Sequence, residues 1–179
     1  MIHGWGGSPL EGWRPWLRLQ LEKQGFEVEI LEMPDTHNPS MDLWVGHMHA
    51  VIGMPDKNTI LVGHSLGSAA ILRYLESVKG DVKICGSVLV ACPVTDVGFK
   101  ELGSFFETDF NFPKIKEHCK RFIVINSDND YYIPVEQGEF LSSNLGCDLI
   151  LKHAMKHFSS VDGFTELPIV LESVLKLVN

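Results

Sequence analysis

Basic residues are scarce: 15 Lys and Arg stand against 23 Asp and Glu, a formal net charge of −8 at pH 7. A chain this acidic repels phosphate, which argues against nucleic acid or an anionic membrane surface as partner. Long apolar runs are missing as well, so no segment reaches the roughly eighteen residues that a membrane-spanning helix needs. The N-terminal stretch Met1-Ile-His-Gly-Trp-Gly-Gly7 has neither a basic nor an apolar leader region, so a cytoplasmic protein is expected. Cysteine is limited to Cys85, Cys92, Cys119 and Cys147, widely spaced and without a C-x-x-C pair. Neither a zinc cage nor a thioredoxin-type motif is offered. The patterns G-x-x-x-x-G-K-S/T and G-x-G-x-x-G are both absent, which removes the two common nucleotide-binding fingerprints.

What is present has globular composition, with 45% apolar and 21% charged residues in 179. One domain over residues 1–179 is expected, burying roughly 70% of its unfolded surface and so needing no disulfides. Short β-rich runs at Phe26–Leu31, Thr59–Val62, Ile84–Ala91, Phe122–Ile125 and Cys147–Leu151 alternate with helical stretches. Those stretches are Gly12–Gln24, Met41–Met54, Leu66–Val78, Val135–Leu145 and Pro168–Val178. Such alternation predicts an α/β fold with a mostly parallel sheet. The stretch Val97–Lys120 lacks a clean period but holds Phe99, Phe105, Phe106, Phe110 and Phe112, so part of it should pack down or line a pocket.

The strongest chemical signal is Gly63-His64-Ser65-Leu66-Gly67. Chance supplies a G-x-S-x-G roughly 0.1 times in a chain of this length and composition. Here the apolar run Thr59–Val62 leads directly into it and a helix leaves directly after, the context of a nucleophile elbow. A second signal, His3-Gly4-Trp5-Gly6-Gly7-Ser8, is a Gly-rich loop able to bring a backbone N–H to a developing oxyanion. Trp5 N–H and Leu66 N–H would be the two donors. A serine hydroxyl needs a base and an orienting carboxylate, in the chain order Ser, acid, His. Asp128 and Asp130, after the run ending at Ile125, compete for the acid role, and His153 and His157 compete for the base. His47 and His49 at i, i+2 point to different helix faces, and His37 and His118 lack spaced partners, so no metal is assigned. The tryptophans Trp5, Trp13, Trp16 and Trp44 read as core or pocket wall.

These motifs resemble those of the small, lidless α/β-hydrolases of the YdeN type, a family that includes retinoblastoma-binding protein nine. The likeness runs through H-G-W-G-G-S-P at His3–Pro9, G-H-S-L-G at Gly63–Gly67 and D-Y-Y-I-P at Asp130–Pro134. It continues in H-F at His157–Phe158 and G-F-x-E-x-P at Gly163–Pro168. The resemblance selects Asp130 over Asp128 and His157 over His153. It implies a three-layer α/β/α sandwich with about six mainly parallel strands in the order 2-1-3-4-5-6 and no lid. It also implies a serine hydrolase acting on small acyl esters or amides through Ser65, Asp130 and His157, without metal or organic cofactor. His3, His64, Tyr131, Tyr132 and Phe158 are the candidate pocket residues.

Three departures from the family pattern set further expectations. Family members usually carry several more apolar residues before H-G, so either the first strand is a stub at Met1–His3, which should fray for want of ladder bonds, or the start lies further upstream. Lys156 occupies a position usually held by a small residue, and its cation would disfavour an imidazolium at His157 if turned inward. Leu145-Gly-Cys147-Asp-Leu149 lacks the Glu of the L-x-C-x-E segment, so binding to retinoblastoma-type pockets does not carry over. The competing function is a binding or scaffold module on a hydrolase fold.

Overall fold

The computed structural model describes residues 1–179. Four parallel strands form its ladder: β1 (Ile60–His64), β2 (Gly86–Val90), β3 (Phe122–Ser127) and β4 (Leu149–Lys152), hydrogen-bonded in that order. Two single parallel bridges extend the sheet beyond β1, Ile2 to Gly63 and Ile2 to Leu31. Ile2 therefore lies between Leu31 and β1, which reproduces the expected order 2-1-3-4-5-6. The difference from six full strands is physical. Ile2 offers one ladder position, so the run Phe26–Leu31 is bridged only at Leu31, with one further bond from the Met1 ammonium to Glu29 O at 2.6 Å, and a cleft of about 930 Å³ opens between it and β1.

The stub does not fray. Ile2 N–H donates to Val62 O at 2.9 Å, Ile2 O accepts from His64 N–H at 3.1 Å, and Met1 O accepts from Leu31 N–H at 3.0 Å. Its side chain is buried, so packing on both sides replaces a long ladder.

Helices α1 (Arg14–Lys23), α2 (Met41–Ile52), α3 (Leu66–Ser77), α4 (Phe112–His118), α5 (Val135–Leu145) and α6 (Pro168–Val178) cover both faces. Strand residues alternate between two cores. Leu61, Leu89 and Val124 join Trp44, Met48, Leu72, Ile115 and Leu141 of α2 to α5. Val62, Val88, Val90 and Ile125 join Trp13, Leu17, Leu21, Val170 and Val174, on the side of α1 and α6. This is the three-layer sandwich. The aperiodic segment divides as expected: Phe105, Phe110 and Phe112 enter the first core, while Val97, Phe99 and Leu102 face a cavity. Helix α4 was not foreseen, although Asn111 capping Lys114 N–H and Pro113 in the first turn mark its start. No helix is long and apolar enough to cross a membrane.

Candidate active site

Ser65 sits between β1 and α3 with φ 53° and ψ −127°, a strained conformation for a non-glycine residue. Its N–H donates to Val90 O at 2.8 Å, and Ser68 Oγ donates to the same carbonyl at 3.2 Å, which ties the turn to β2. The flanking glycines are required by space. A Cβ on Gly63 would lie 2.6 Å from the backbone of Ser68, and one on Gly67 would fall on the carbonyl oxygens of Ile2 and His3. The signature thus follows from how closely α3 and the first strand crowd the serine.

The loop after Ile2 lies against this turn: a Cβ on Gly4 would be 2.9 Å from Ser65 Cβ. Gly6 N–H is bonded to Thr36 O and Gly7 N–H to Gly4 O, whereas Trp5 N–H has no protein acceptor. Leu66 N–H, at the first position of α3, has no intrahelical acceptor either. His3 is fully buried behind the loop, with Nδ1 2.9 Å from Gly4 O and Nε2 accepting Met33 N–H at 3.2 Å. Those partners fix it as a neutral Nδ1–H tautomer, and burial lowers its pKa. His3 holds the loop and does not line the cavity.

Asp130 and His157 come from the turns after β3 and β4. Asp130 Oδ1 accepts Tyr132 and Ile133 N–H at 2.8 and 3.0 Å, and Oδ2 lies 2.8 Å from His157 Nδ1. Their side chains are 0% and 8% exposed. The carboxylate is an acceptor on both oxygens, so His157 carries its proton on Nδ1 and keeps Nε2 free. Asp128 instead meets His153 at 2.6 Å, a pair whose histidine is 91% exposed and points to solvent. Each acid thus has its own histidine.

The His157 loop is laced to its surroundings. Met155 N–H reaches Ser127 Oγ at 2.9 Å, Ala154 N–H reaches Asp128 Oδ1 at 2.8 Å, and Lys156 N–H reaches Asn129 Oδ1 at 2.7 Å. His64, expected in the pocket, lines it and also places Nε2 2.8 Å from His157 O, while Trp13 Nε1 donates to Phe158 O at 3.0 Å. Burial holds His64 well below the usual imidazole range, hence neutral. Phe158 is fully buried in the second core and is not a pocket residue, because its carbonyl and ring anchor the loop from behind. Lys156 turns away from His157, its Nζ 3.7 Å from Asp162. Asp162 also accepts from Ser159 Oγ at 2.6 Å, His157 N–H at 3.3 Å and Tyr131 OH at 3.1 Å. Sequence reasoning missed Asp162, although Ser159-x-x-Asp162 is a capping-box spacing and that box is formed.

Ser65, His64, Tyr131, Tyr132 and His157 all border one cavity of about 320 Å³. Trp5, Phe99 and Tyr132 give it an aromatic wall, with ring centroids 5.2 Å apart for Trp5–Phe99 and 5.9 Å for Phe99–Tyr132. The Tyr132 ring meets His157 edge-on at 5.0 Å.

A model of the family described as serine hydrolase matches residues 1–176. The chain belongs to the serine hydrolase family. Among the family's relatives, YdeN of Bacillus subtilis (strain 168) is 32% identical over 173 residues, 96% of this chain and 91% of that protein. The serine hydrolase RBBP9 of Rattus norvegicus is 28% identical over 176 residues, 97% of this chain and 91% of that protein. The crystal structure of the B. subtilis ydeN gene product superposes with a TM-score of 0.95 at 31% identity, covering 99% of this chain and 96% of the other. Est1E from Butyrivibrio proteoclasticus shares the fold at a TM-score of 0.75 and 14% identity, with 99% of this chain and 86% of the other covered. The serine hydrolase family thus carries here an α/β-hydrolase fold without a lid.

Proposed function

We propose that this hydrolase cleaves small acyl esters, and amides of similar size, through an acyl-enzyme on Ser65. The observation that carries this reading is the buried 2.8 Å contact between His157 and Asp130, bordering the same cavity as Ser65. Ser65 Oγ attacks the substrate carbonyl while His157 Nε2 takes its proton. Asp130 holds the Nδ1–H tautomer and stabilises the imidazolium that forms. The oxyanion of the tetrahedral intermediate accepts from Leu66 N–H and Trp5 N–H, and loss of one such donor costs about 3–4 kcal/mol elsewhere. On collapse the C–O or C–N bond breaks and His157 returns the proton to the leaving group. Water then attacks the acyl-enzyme with His157 as base, releasing the acid and restoring Ser65. A cavity near 320 Å³ sits at the small end of ligand sites, which supports short acyl compounds.

The test combines fluorophosphonate labelling with p-nitrophenyl esters of increasing chain length and peptide amides alongside. Labelling at Ser65, with ester turnover lost to background in Ser65→Ala, is the expected result. An unlabelled Ser65, or undiminished turnover in the alanine variant, refutes the reading and favours the scaffold alternative.

A further inference from the structure

The chain buries two arginines, and they are partnered very differently. Arg73 donates from Nε to Phe105 O at 2.8 Å, from Nη1 to Glu76 at 2.7 Å and Asp109 O at 3.4 Å, and from Nη2 to Thr108 O. Every nitrogen is bonded, and a largely buried carboxylate neutralises the charge. That is the expected form of a structural buried cation. Arg14 has a side chain only 6% exposed, yet Nε and Nη2 share a single carbonyl, Ser8 O, at 3.2 and 2.8 Å. Nη1 has no protein acceptor among its hydrogen bonds. The nearest carboxylate, Glu11, is 3.9 Å away, half-exposed and not hydrogen-bonded. Burial without a close counter-charge pulls the Arg14 pKa down to about 10. Arg14 and Glu11 both border the cavity that holds Ser65 and His157.

We propose that Arg14 is a specificity-determining residue that binds a carboxylate of the substrate, so that the preferred substrates are acyl esters carrying one anionic group, such as half-esters of dicarboxylic acids. The proposal rests on Ser65 being the nucleophile of that cavity. A guanidinium with unused donors at a cavity wall suits a planar carboxylate, which can take two N–H bonds at once. Glu11 is the resident counter-ion, loosely held and free to swing out as the substrate anion arrives. Replacing the Glu11 carboxylate by a substrate carboxylate swaps one negative charge for another at a single guanidinium, which favours a monoanion over a dianionic phosphate that would leave the site net negative.

The experiment compares p-nitrophenyl hemiglutarate with its methyl ester on the full chain. In Arg14→Gln, KM for the charged ester should rise about ten-fold or more, while that for the neutral ester stays within about two-fold. Arg14→Lys should recover part of the loss. Glu11→Gln should move the other way, lowering KM for the charged ester alone, and added salt should weaken only the charged substrate. A structural Arg14 would instead hit both esters equally and leave their ratio unchanged in every variant, which overturns the proposal. Calorimetric titration with monomethyl glutarate reads the same site without turnover. If no ester is hydrolysed the Ser65 reading fails by itself, and loss of this binding in Arg14→Gln still decides Arg14. Titration with inorganic phosphate completes the test: tighter binding than the carboxylate would overturn the assigned chemistry.

Discussion

Two turns deliver chemistry to the same cavity, and they are held in opposite ways. The Ser65 turn is fixed by backbone: a strand enters, a helix leaves, and close approach of Ile2, His3 and Ser68 leaves no room for Cβ atoms at Gly63 and Gly67. The His157 turn follows a four-residue edge strand and has no such walls. It carries three non-glycine residues at positive φ, Ala154, Lys156 and Phe158, and is held by side chains from four other segments. Strain at Ser65 is thus opposed by packing, whereas strain around His157 is opposed by a polar network. A packed turn should fail through overcrowding, and a networked turn through loss of a single hub.

The largest effect on stability is expected from Gly67→Ala. Its Cβ meets two backbone carbonyls that cannot move without displacing Ile2, so unfolding in urea should show a loss of about 3 kcal/mol or more. A loss below about 1 kcal/mol would mean that the turn relaxes as readily as a loop. The corresponding blow to the other turn is Asp162→Asn, which weakens the bonds to Ser159, Tyr131 and His157 N–H and should cost about 1–3 kcal/mol.

Asp162 also gives this comparison a pH dependence. Burial pushes its pKa up, but the hydrogen bonds from Ser159, Tyr131 and the backbone outweigh that and leave it below 3.8. A depressed carboxyl pKa contributes stability that is present above the unfolded value and disappears as pH falls through the folded one. Wild type should therefore lose its advantage over Asp162→Asn as pH drops from about 5 through that lowered range. A constant gap across the acid limb would show that the network does not depend on the charge.

A smaller change of opposite sign is expected at Lys156, where φ is 47°. Lys156→Gly should stabilise by about 0.5–1 kcal/mol, because relief of the left-handed strain exceeds the loss of a long 3.7 Å contact from a half-exposed lysine to Asp162. Smallest of all, His153→Ala removes a solvent-facing hydrogen bond to Asp128 and should change stability by about 0.5 kcal/mol or less, read from the same urea curves.

The contrast between the turns also explains what was legible in the sequence. Gly63 and Gly67 could be read because space dictates their identity, and α5 and α6 matched their expected bounds because apolar period and flanking residues agreed. Phe26–Leu31 looked like a full strand because its composition is β-like, but pairing depends on a neighbour, and Ile2 supplies a single position. Between Asp128 and Asp130, residue type was uninformative, since both are bonded to histidines; the resemblance at Asp130–Pro134 selected Asp130, and burial and the cavity beside His157 separate the pairs in the fold. His3 and Phe158, candidate pocket residues, both turn their side chains into the interior, a direction that residue type does not reveal. Asp162 could have been read from its capping-box spacing to Ser159, whereas Arg14 left no mark, since a charged residue in the first turn of a helix reads as solvated until tertiary contacts bury it.

The pairing of the buried histidine with Asp130 is the centre of this account, and kcat/KM for a short p-nitrophenyl ester in His157→Ala and His153→Ala tests it most directly. His157→Ala should lose on the order of 10⁴-fold or more, while His153→Ala stays within about three-fold of wild type. Equal losses in the two variants, or the reverse order, would contradict it.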